Sequence, residues 1–229
     1  MAYKHAVHPL FDRLSLWLDP VPRHGPEQMA CDEALCESVS EPVLRVFRWA
    51  APWCSAGYFS SWQEAGGVRP DLPLCRRWTG GGVVVHENDF TFALVAPKNT
   101  PWSSLRPAES YRVLHEALAD ALRESGTDAG IFSGTGSSAA QCFVAPAQHD
   151  VIGNGTKLAG GAQKRTRTAL LHQGSVQAGA AKKPGFAEAL AARLAGKITD
   201  WQPPGGFQES VRLLLEEKYG RPSFLERVP

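Results

Sequence analysis

The sequence predicts a mixed α/β (α+β) protein in which helices cover a largely antiparallel sheet. The order of the local patterns is the first reason, because a helix, strand-like runs, a second helix, further strands and terminal helices follow one another. The size is the second, since 229 residues with 43% hydrophobic side chains can bury one sizeable core. We expect residues 1–229 to form one domain.

The N-terminal part contains a predicted helix and a predicted strand. Pro26 stands at the start of residues 26–39, where apolar side chains recur at helical spacing. β-Branched and aromatic residues from Val43 to Trp49 then favour a strand that runs to a turn at Pro52.

The middle of the chain predicts a hairpin and a covering helix. Residues 83–86 and 90–95 have strand composition, and the polar residues 87–89 between them indicate a turn. Residues 107–123 show the clearest helical pattern, with one apolar face formed by Tyr111, Leu114, Leu118, Ala121 and Leu122.

The C-terminal part alternates between loops, short strands and helices. The sequence predicts a Gly/Ser loop over 133–141, strands at 151–152 and 170–176, and helical segments over 185–198 and 207–220 joined by the turn-rich residues 200–206.

Charge and hydropathy disfavour nucleic acid and membrane partners. The formal net charge is +1, and Lys and Arg are scattered along the chain rather than gathered into a basic tract. Charged residues interrupt the apolar N-terminal region, and no later stretch approaches the length of a membrane span. We therefore expect a cytoplasmic protein.

Five cysteines are an odd number and contain no CxxC pair, which argues against a disulfide framework and a zinc ribbon. Most of them are expected to be buried thiols. A cysteine with a function here would act as a nucleophile, and no metal site is predicted. The five are Cys31, Cys36, Cys54, Cys75 and Cys142.

The stretch "CRRWTGGGVVVH" places two arginines, three glycines and a histidine around the entry to a strand. A triple glycine often forms only a tight turn. It also lets backbone N–H groups approach a ligand closely, while Arg76 and Arg77 supply charge for a carboxylate or phosphate. The arginines favour the second interpretation, whereas His86 alone is compatible with either a structural or a functional role.

A second dense stretch covers residues 142–176. Lys157 stands between Gly155 and the small residues "AGGA", which could place its ammonium near a cleft floor made of backbone, although a solvated lysine is the alternative. Cys142 follows the flexible loop and is either a structural thiol or a nucleophile. As a nucleophile it would need a nearby base or cation, for which His149, His172 and Lys157 are candidates.

Together, "RRWTGGGVVVH" and "NGTKLAGGAQKR" resemble the two signatures of the biotin/lipoate protein ligase and lipoyl/octanoyl transferase superfamily. The segments "MACDEAL" and "LRVFRWAAPWCSAGYF" agree, so the resemblance covers roughly residues 26–177 in order. It implies a biotin/lipoate ligase-like catalytic domain without a separate accessory domain. In this superfamily the glycine run and the following strand line the groove for the acyl chain.

The resemblance is greatest to the cysteine-dependent octanoyltransferases. The segment "HENDFTF" lacks the Gly-Asn and the longer turn of ATP-dependent lipoate ligases, and "CFVAPAQHD" matches the transferases at Cys142, Phe143, Pro146 and Asp150. Gly82 is a departure, because the transferases usually have arginine there and the ligases have glycine.

The resemblance implies two catalytic residues and a set of binding residues. Cys142 would attack a thioester and form an acyl-enzyme, and Lys157 would donate a hydrogen bond to the acyl carbonyl. The implied substrate-binding residues are Arg76, Arg77, Thr79, Gly80, Gly81, Gly82, His86, Gly160, Ala162, Gln163 and His172.

The implied partners are an acyl carrier protein or a lipoylated donor, and an acceptor with a lipoyl domain, such as glycine cleavage H protein or a 2-oxoacid dehydrogenase subunit. This route requires no cofactor. The alternative is a lipoate or biotin ligase, which would use ATP and Mg and form an acyl-adenylate. A third hypothesis is a non-catalytic acyl-binding module.

Overall fold

The computed structural model describes residues 9–134, 145–177 and 179–227. The strands of this described part are β1 (Phe11–Leu18), β2 (Val43–Phe47), β3 (Trp53–Ala56), β4 (Leu74–Arg76), β5 (Val84–His86), β6 (Phe90–Pro97), β7 (Gly130–Ile131), β8 (Val151–Gly153), β9 (Thr156–Arg165), β10 (Ala169–Val176) and β11 (Ala195–Asp200). The helices are α1 (Gly25–Ser38), α2 (Trp62–Val68), α3 (Pro101–Ser104), α4 (Pro107–Glu124), α5 (Phe186–Leu194), α6 (Phe207–Leu214) and α7 (Pro222–Leu225), with a 3₁₀ turn at Gly179–Lys182 and a π-helical turn at Leu215–Tyr219.

Eight strands form a large sheet in the order β11-β1-β2-β6-β10-β9-β8-β7 within the described ranges. β1 runs parallel to β2 and β11, and the other neighbouring pairs are antiparallel. A smaller sheet has the order β4-β3-β5. The predicted mixed, largely antiparallel fold is therefore confirmed.

Helices cover both faces of the large sheet. Phe92 and Leu94 of β6 pack with α4 and α5, whereas the alternate residues Ala93 and Val95 pack with α1 and α6. The predicted helices at 26–39 and 107–123 are α1 and α4, and the predicted strands at 151–152 and 170–176 are β8 and β10. Every helix in the described ranges is too short or too polar to cross a membrane.

The predicted hairpin is wrong, although both of its strands exist. β5 pairs with β3 in the small sheet, whereas β6 lies between β2 and β10 in the large sheet. Residues 87–89 therefore connect two sheets rather than two neighbouring strands. Composition indicates that a segment is a strand, but the partner depends on distant residues that the local pattern does not contain.

Two other boundaries differ from the prediction. The strand that begins at Val43 ends at Phe47, before Trp49, and the helix predicted over 185–198 ends at Leu194. The residues from Ala195 onward form β11, because they pair with β1 at the edge of the sheet. β1 and β9 were not predicted, and most of the predicted loop over 133–141 lies outside the described residues.

A buried arginine joins the first two strands of the large sheet to α1. Arg45 on β2 has no exposed side-chain surface, and its guanidinium lies 2.8 Å from Asp19 and 2.7 Å from Asp32. It also donates to Gln28 and lies 4.2 Å above the ring of Phe47. Since Asp19 follows β1 and Asp32 lies on α1, one side chain fixes three elements.

Replacement of Arg45 by methionine would leave the carboxylate of Asp32 buried without its cation, and it would remove one of the two cations of Asp19, which keeps Arg23. Removal of one partner from a buried ion pair typically costs about 3–5 kcal/mol, so we expect a loss of that order in the free energy of unfolding, measured by urea denaturation. Arg69→Met, which removes two surface ion pairs, is the control and should have a much smaller effect. Equal losses in both variants would contradict this role of Arg45.

Candidate active site

A cavity lies where the two sheets meet, and it encloses about 500 Å³ of space, part of it open to solvent. Met29 of α1 and the aromatic rings of Phe47 and Trp49 form its apolar wall. Its remaining lining comes from both sheets: Lys157, Gly160, Gly161 and Ala162 of β9, Gln173, Gly174 and Ser175 of β10, Thr91 of β6, Ser55 of β3, and Arg77, Gly81, Val84 and His86.

Lys157 is the cation on the β9 side of the cavity. Its side chain is only 7% exposed, and its ammonium lies 2.7 Å from Asp150 Oδ2. Asp150 also accepts hydrogen bonds from Tyr111 Oη at 2.5 Å and from the backbone N–H of Ala147 at 2.6 Å. A buried ammonium requires such a counter-charge, so Asp150 holds Lys157 in one position.

The backbone of β9 makes room for the Lys157 side chain. A Cβ on Gly160 would lie 2.7 Å from Lys157 Nζ and 3.1 Å from Asp150 Oδ1. Any side chain at this position would therefore displace the ammonium or its counter-ion. The cleft floor of backbone that the sequence predicted beside Lys157 is present at Gly160.

Ser55, His86 and Asp89 form a hydrogen-bonded chain on the opposite side of the cavity. Ser55 Oγ lies 2.7 Å from His86 Nε2, and His86 Nδ1 lies 2.7 Å from Asp89 Oδ2. The imidazole stacks on Trp49 with ring centroids 4.1 Å apart. His86 is thus fixed at both nitrogens and on one face.

The partners of Asp89 determine where the protons lie in this group of three hydrogen-bonded side chains. Burial raises the pKa of the Asp89 carboxyl, but His86 and the hydroxyl donors Ser175 and Thr91 outweigh burial and hold the pKa below its usual value. Asp89 is therefore an acceptor, and His86 donates to it through Nδ1–H. His86 Nε2 makes its own hydrogen bond with the Ser55 hydroxyl.

Arg77 connects the hydrogen-bonded side chains of Ser55, His86 and Asp89 to the glycine run. Its Nη1 donates to Ser55 Oγ at 2.7 Å, and its Nη2 donates to the carbonyls of Gly80 at 3.0 Å and Gly82 at 2.8 Å. Gly81 has a φ of 89°, a left-handed conformation that glycine adopts without strain. The glycine run thus wraps around the Arg77 guanidinium, and Gly81 reaches the cavity.

The structure does not bring Arg76 or Thr79 to the cavity lining. Arg76 is fully buried and donates to the carbonyls of Gly57 at 2.9 Å and Leu225 at 2.7 Å. Thr79 donates to Gln173 Oε1 at 2.7 Å. Arg76 thus joins the loop after β3 to the C-terminal segment, and Thr79 supports a residue that lines the cavity.

Gln163 and His172 lie on the other face of the large sheet, beneath α4. Strand alternation directs Ala162 toward the cavity and Gln163 away from it. Gln163 Nε2 lies 3.4 Å from His172 Nδ1, and His172 Nε2 lies 3.4 Å from His115 Nε2. His115 Nδ1 is 2.9 Å from the carbonyl of His149. Gln163, His172 and His115 thus form a hydrogen-bonded chain in which both buried imidazoles are neutral.

The four cysteines in the described ranges are buried. Burial raises the pKa of the Cys31 thiol to about 11 and that of Cys75 to about 12, and it raises the pKa values of Cys36 and Cys54 as well. Thiols of this kind are poor nucleophiles at neutral pH. The predicted nucleophile Cys142 lies outside the described residues.

Sequence reasoning missed several residues of the site. Asp89 had a detectable signal, since it stands three residues after His86 and next to a strand. Ser55 and Gln173 had none, because each is positioned by pairing with a strand distant in the chain, Ser55 with Val84 and Gln173 with Ala93. Asp150 was noted through the family resemblance, without its contact to Lys157.

The buried histidines predict a loss of stability in mild acid. Burial lowers the pKa of His115 to about 4 and lowers that of His172 too, whereas an unfolded chain binds this proton near about pH 6.5. The unfolded state therefore binds more protons between these values, and stability falls as the pH drops through this window.

We expect His115 to contribute about 2 kcal/mol to the loss of stability between pH 8 and pH 5. Urea midpoints of wild type and His115→Gln at both pH values measure this contribution, and pH 8 supplies the baseline for each protein. An identical acid-induced loss in the two proteins would assign the effect to other groups.

Gly160→Ala should move Lys157 away from Asp150, because the new Cβ would overlap the ammonium. Acetylation of Lys157 by a lysine-reactive ester, followed by peptide mass spectrometry, should then increase several-fold. Gly66→Ala is the matched control, because a Cβ there meets nothing within 4 Å. Unchanged reactivity of Lys157 would contradict the proposed close packing.

Relatives of this chain are named as octanoyltransferases. The octanoyltransferase LipM of Moorella thermoacetica is 36% identical over 163 residues, which cover 65% of this chain and 59% of that protein. The octanoyltransferase LipM of Staphylococcus aureus is 30% identical over 165 residues, which cover 65% of this chain and 60% of that protein. The chain thus spans about 60% of the length of these relatives.

The fold is also shared with a solved structure. Ta0514 of Thermoplasma acidophilum, a lipoate protein ligase by name, has a TM-score of 0.76 and 20% identity, and the match covers 93% of this chain and 99% of that one. Residues 24–217 match the family model of the lipoyl protein ligase A/B catalytic domain, which includes both signatures. The chain therefore belongs to the lipoyl protein ligase A/B catalytic domain family, as the resemblance predicted.

Proposed function

We propose that this chain is an acyltransferase of lipoate metabolism that moves an octanoyl or lipoyl group from a thioester donor to a lysine of a lipoyl-domain protein. The donor is an acyl carrier protein, and the acyl chain occupies the cavity between the two sheets. The observation that carries this proposal is Lys157, an ammonium held by Asp150 on the wall of a largely apolar cavity. The octanoyltransferase relatives support the choice of acyl group.

Two observations support Cys142 as the nucleophile. The other four cysteines are buried thiols with raised pKa values, which leaves Cys142 as the candidate. The backbone of Ala147 is hydrogen-bonded to Asp150, beside Lys157. Because an extended residue spans at most about 3.5 Å, the four residues between Cys142 and Ala147 are long enough for the thiol to reach the cavity.

In the first step, the Cys142 thiol gives up its proton and attacks the carbonyl carbon of the donor thioester. A new C–S bond forms, the C–S bond of the donor breaks, and the departing sulfur takes up a proton. Lys157 donates a hydrogen bond to the carbonyl oxygen, which becomes negative in the tetrahedral intermediate. A fixed donor of this kind is typically worth about 3 kcal/mol in the barrier.

In the second step, the ε-amine of the acceptor lysine attacks the acyl group on Cys142. An amide bond forms, the C–S bond to Cys142 breaks, and the amine proton returns the thiol to its starting state. The thioester already supplies an activated acyl group, so this route consumes no nucleotide and uses no metal.

An ATP-dependent lipoate ligase is the second candidate. Gly82 favours it, because the ligases have glycine where the transferases usually have arginine. In that reaction Lys157 and Arg77 would compensate carboxylate and phosphate charge on an acyl-adenylate. The non-catalytic acyl-binding module has no specific observation in its favour.

Intact-protein mass spectrometry with octanoyl-acyl carrier protein, without ATP, tests the proposal. We expect an octanoyl adduct on wild type and none on Cys142→Ser. Lys157→Ala should form the adduct about 100-fold more slowly, as expected for the loss of one oxyanion donor, and circular dichroism at the assay temperature checks that this variant is folded.

Three outcomes would contradict the transferase. Wild-type rates in Lys157→Ala would remove Lys157 from the mechanism. Absence of any adduct, together with ATP-dependent attachment of free lipoate to the acceptor by wild type and Cys142→Ser alike, would establish the ligase. Stabilisation by acyl ligands without transfer from any donor would indicate a binding module.

A further inference from the structure

An exposed aromatic ring stands at the rim of the cavity. Phe59 is 70% exposed and lies in the turn that follows β3. The neighbouring Ser60 donates through Oγ to the carbonyl of Gly81 at 3.0 Å, and Gly81 lines the cavity. The Phe59 ring is therefore presented next to the entrance rather than on a remote surface.

Buried hydrogen bonds hold this turn in place. Arg76 donates to the carbonyls of Gly57 at 2.9 Å, Tyr58 at 3.1 Å and Ser60 at 2.9 Å. The backbone N–H of Tyr58 donates to Thr79 at 2.8 Å. The backbone that carries Phe59 is therefore already ordered, so little backbone freedom is lost at this turn when a partner contacts the ring.

Two cations flank the turn. Lys164 is two residues beyond Ala162 on β9, so both side chains point to the cavity side of the strand, about 7 Å apart. Lys164 Nζ lies 5.5 Å from the ring of Tyr58, and the Arg227 guanidinium lies 4.0 Å from the same ring. Neither cation pairs with a carboxylate of the described residues.

We propose that Tyr58, Phe59, Lys164 and Arg227, here called the rim patch, dock the acceptor protein through an acidic surface beside its target lysine. This inference rests on the proposed function. Cations without carboxylate partners complement acidic side chains, and Phe59 supplies an apolar contact in their midst.

The length of a lysine side chain selects the acceptor as the occupant. Its amine is attached to the backbone through only four methylenes, so the backbone of the acceptor must come to the rim for the amine to reach the acyl group. An acceptor segment at the rim would lie against Phe59 and Lys164.

The two half-reactions separate docking of the acceptor from chemistry on the donor. Enzyme loaded with octanoyl from octanoyl-acyl carrier protein is isolated and mixed with increasing concentrations of unmodified glycine cleavage H protein. Phe59→Ala and Lys164→Glu are the test variants. Ile198→Ala, at a side chain that is 38% exposed, and Lys197→Glu are the matched controls on β11, at the far edge of the large sheet.

Both test variants should load at the wild-type rate but need about tenfold more H protein for half-maximal discharge. The defect of Lys164→Glu should shrink at about 0.5 M salt, where surface charges are screened. The controls should match wild type in both half-reactions. Unchanged discharge in the test variants, or equal defects in loading and discharge, would overturn the proposal.

A direct binding measurement keeps this test independent of the acyl-enzyme. If wild type forms no acyl-enzyme, the proposed function fails, and calorimetric titration of H protein into wild type and Lys164→Glu decides on the rim patch alone. Weaker binding by the variant supports the patch. Equal binding, or no binding to wild type, refutes it.

Discussion

The buried guanidinium of Arg45 is the constraint on which the core and the site both depend. A buried charge is tolerated only when its partners are present and correctly oriented, so Asp19 and Asp32 must meet at Arg45 when the sheet and α1 assemble. The second oxygen of Asp32 accepts Gln173 Nε2 at 2.6 Å, and Gln173 Oε1 accepts Thr79 at 2.7 Å. The same network thus extends from the core to the loop that begins the glycine run.

Each polar group at the cavity has a second group that fixes it. Asp150 holds Lys157, Asp89 holds His86, and the carbonyls of the glycine run hold Arg77. The energetic cost of ordering these groups is met during folding, so they need not reorganise when a polar or charged ligand enters the cavity. Lys157 and Arg77 therefore present their positive charge to the cavity as part of the folded structure.

The sequence predicted those features that local patterns determine. α1 and α4 followed from helical spacing, and the backbone floor beside Lys157 followed from the run of small residues. The partner strands of β5 and β6 could not be predicted in this way, because each strand finds its partner far away in the chain. β1 and β11 were not predicted for the same reason, since they join residues about 180 positions apart at the edge of the sheet.

Strand phase explains why only part of each signature reaches the cavity. On β9, Ala162 faces the cavity while the next residue, Gln163, turns toward His172 and α4. The adjacent arginines divide in the same way, since Arg77 contacts the chain of Ser55 and His86 whereas Arg76 holds the turn that presents Phe59. The signature alone does not separate its residues, but folding directs one set of them to the cavity and the other set to the structure that supports the cavity. Substitutions at neighbouring residues of one motif should therefore have different effects, the first set changing the groups that line the cavity and the second changing the shape of its wall.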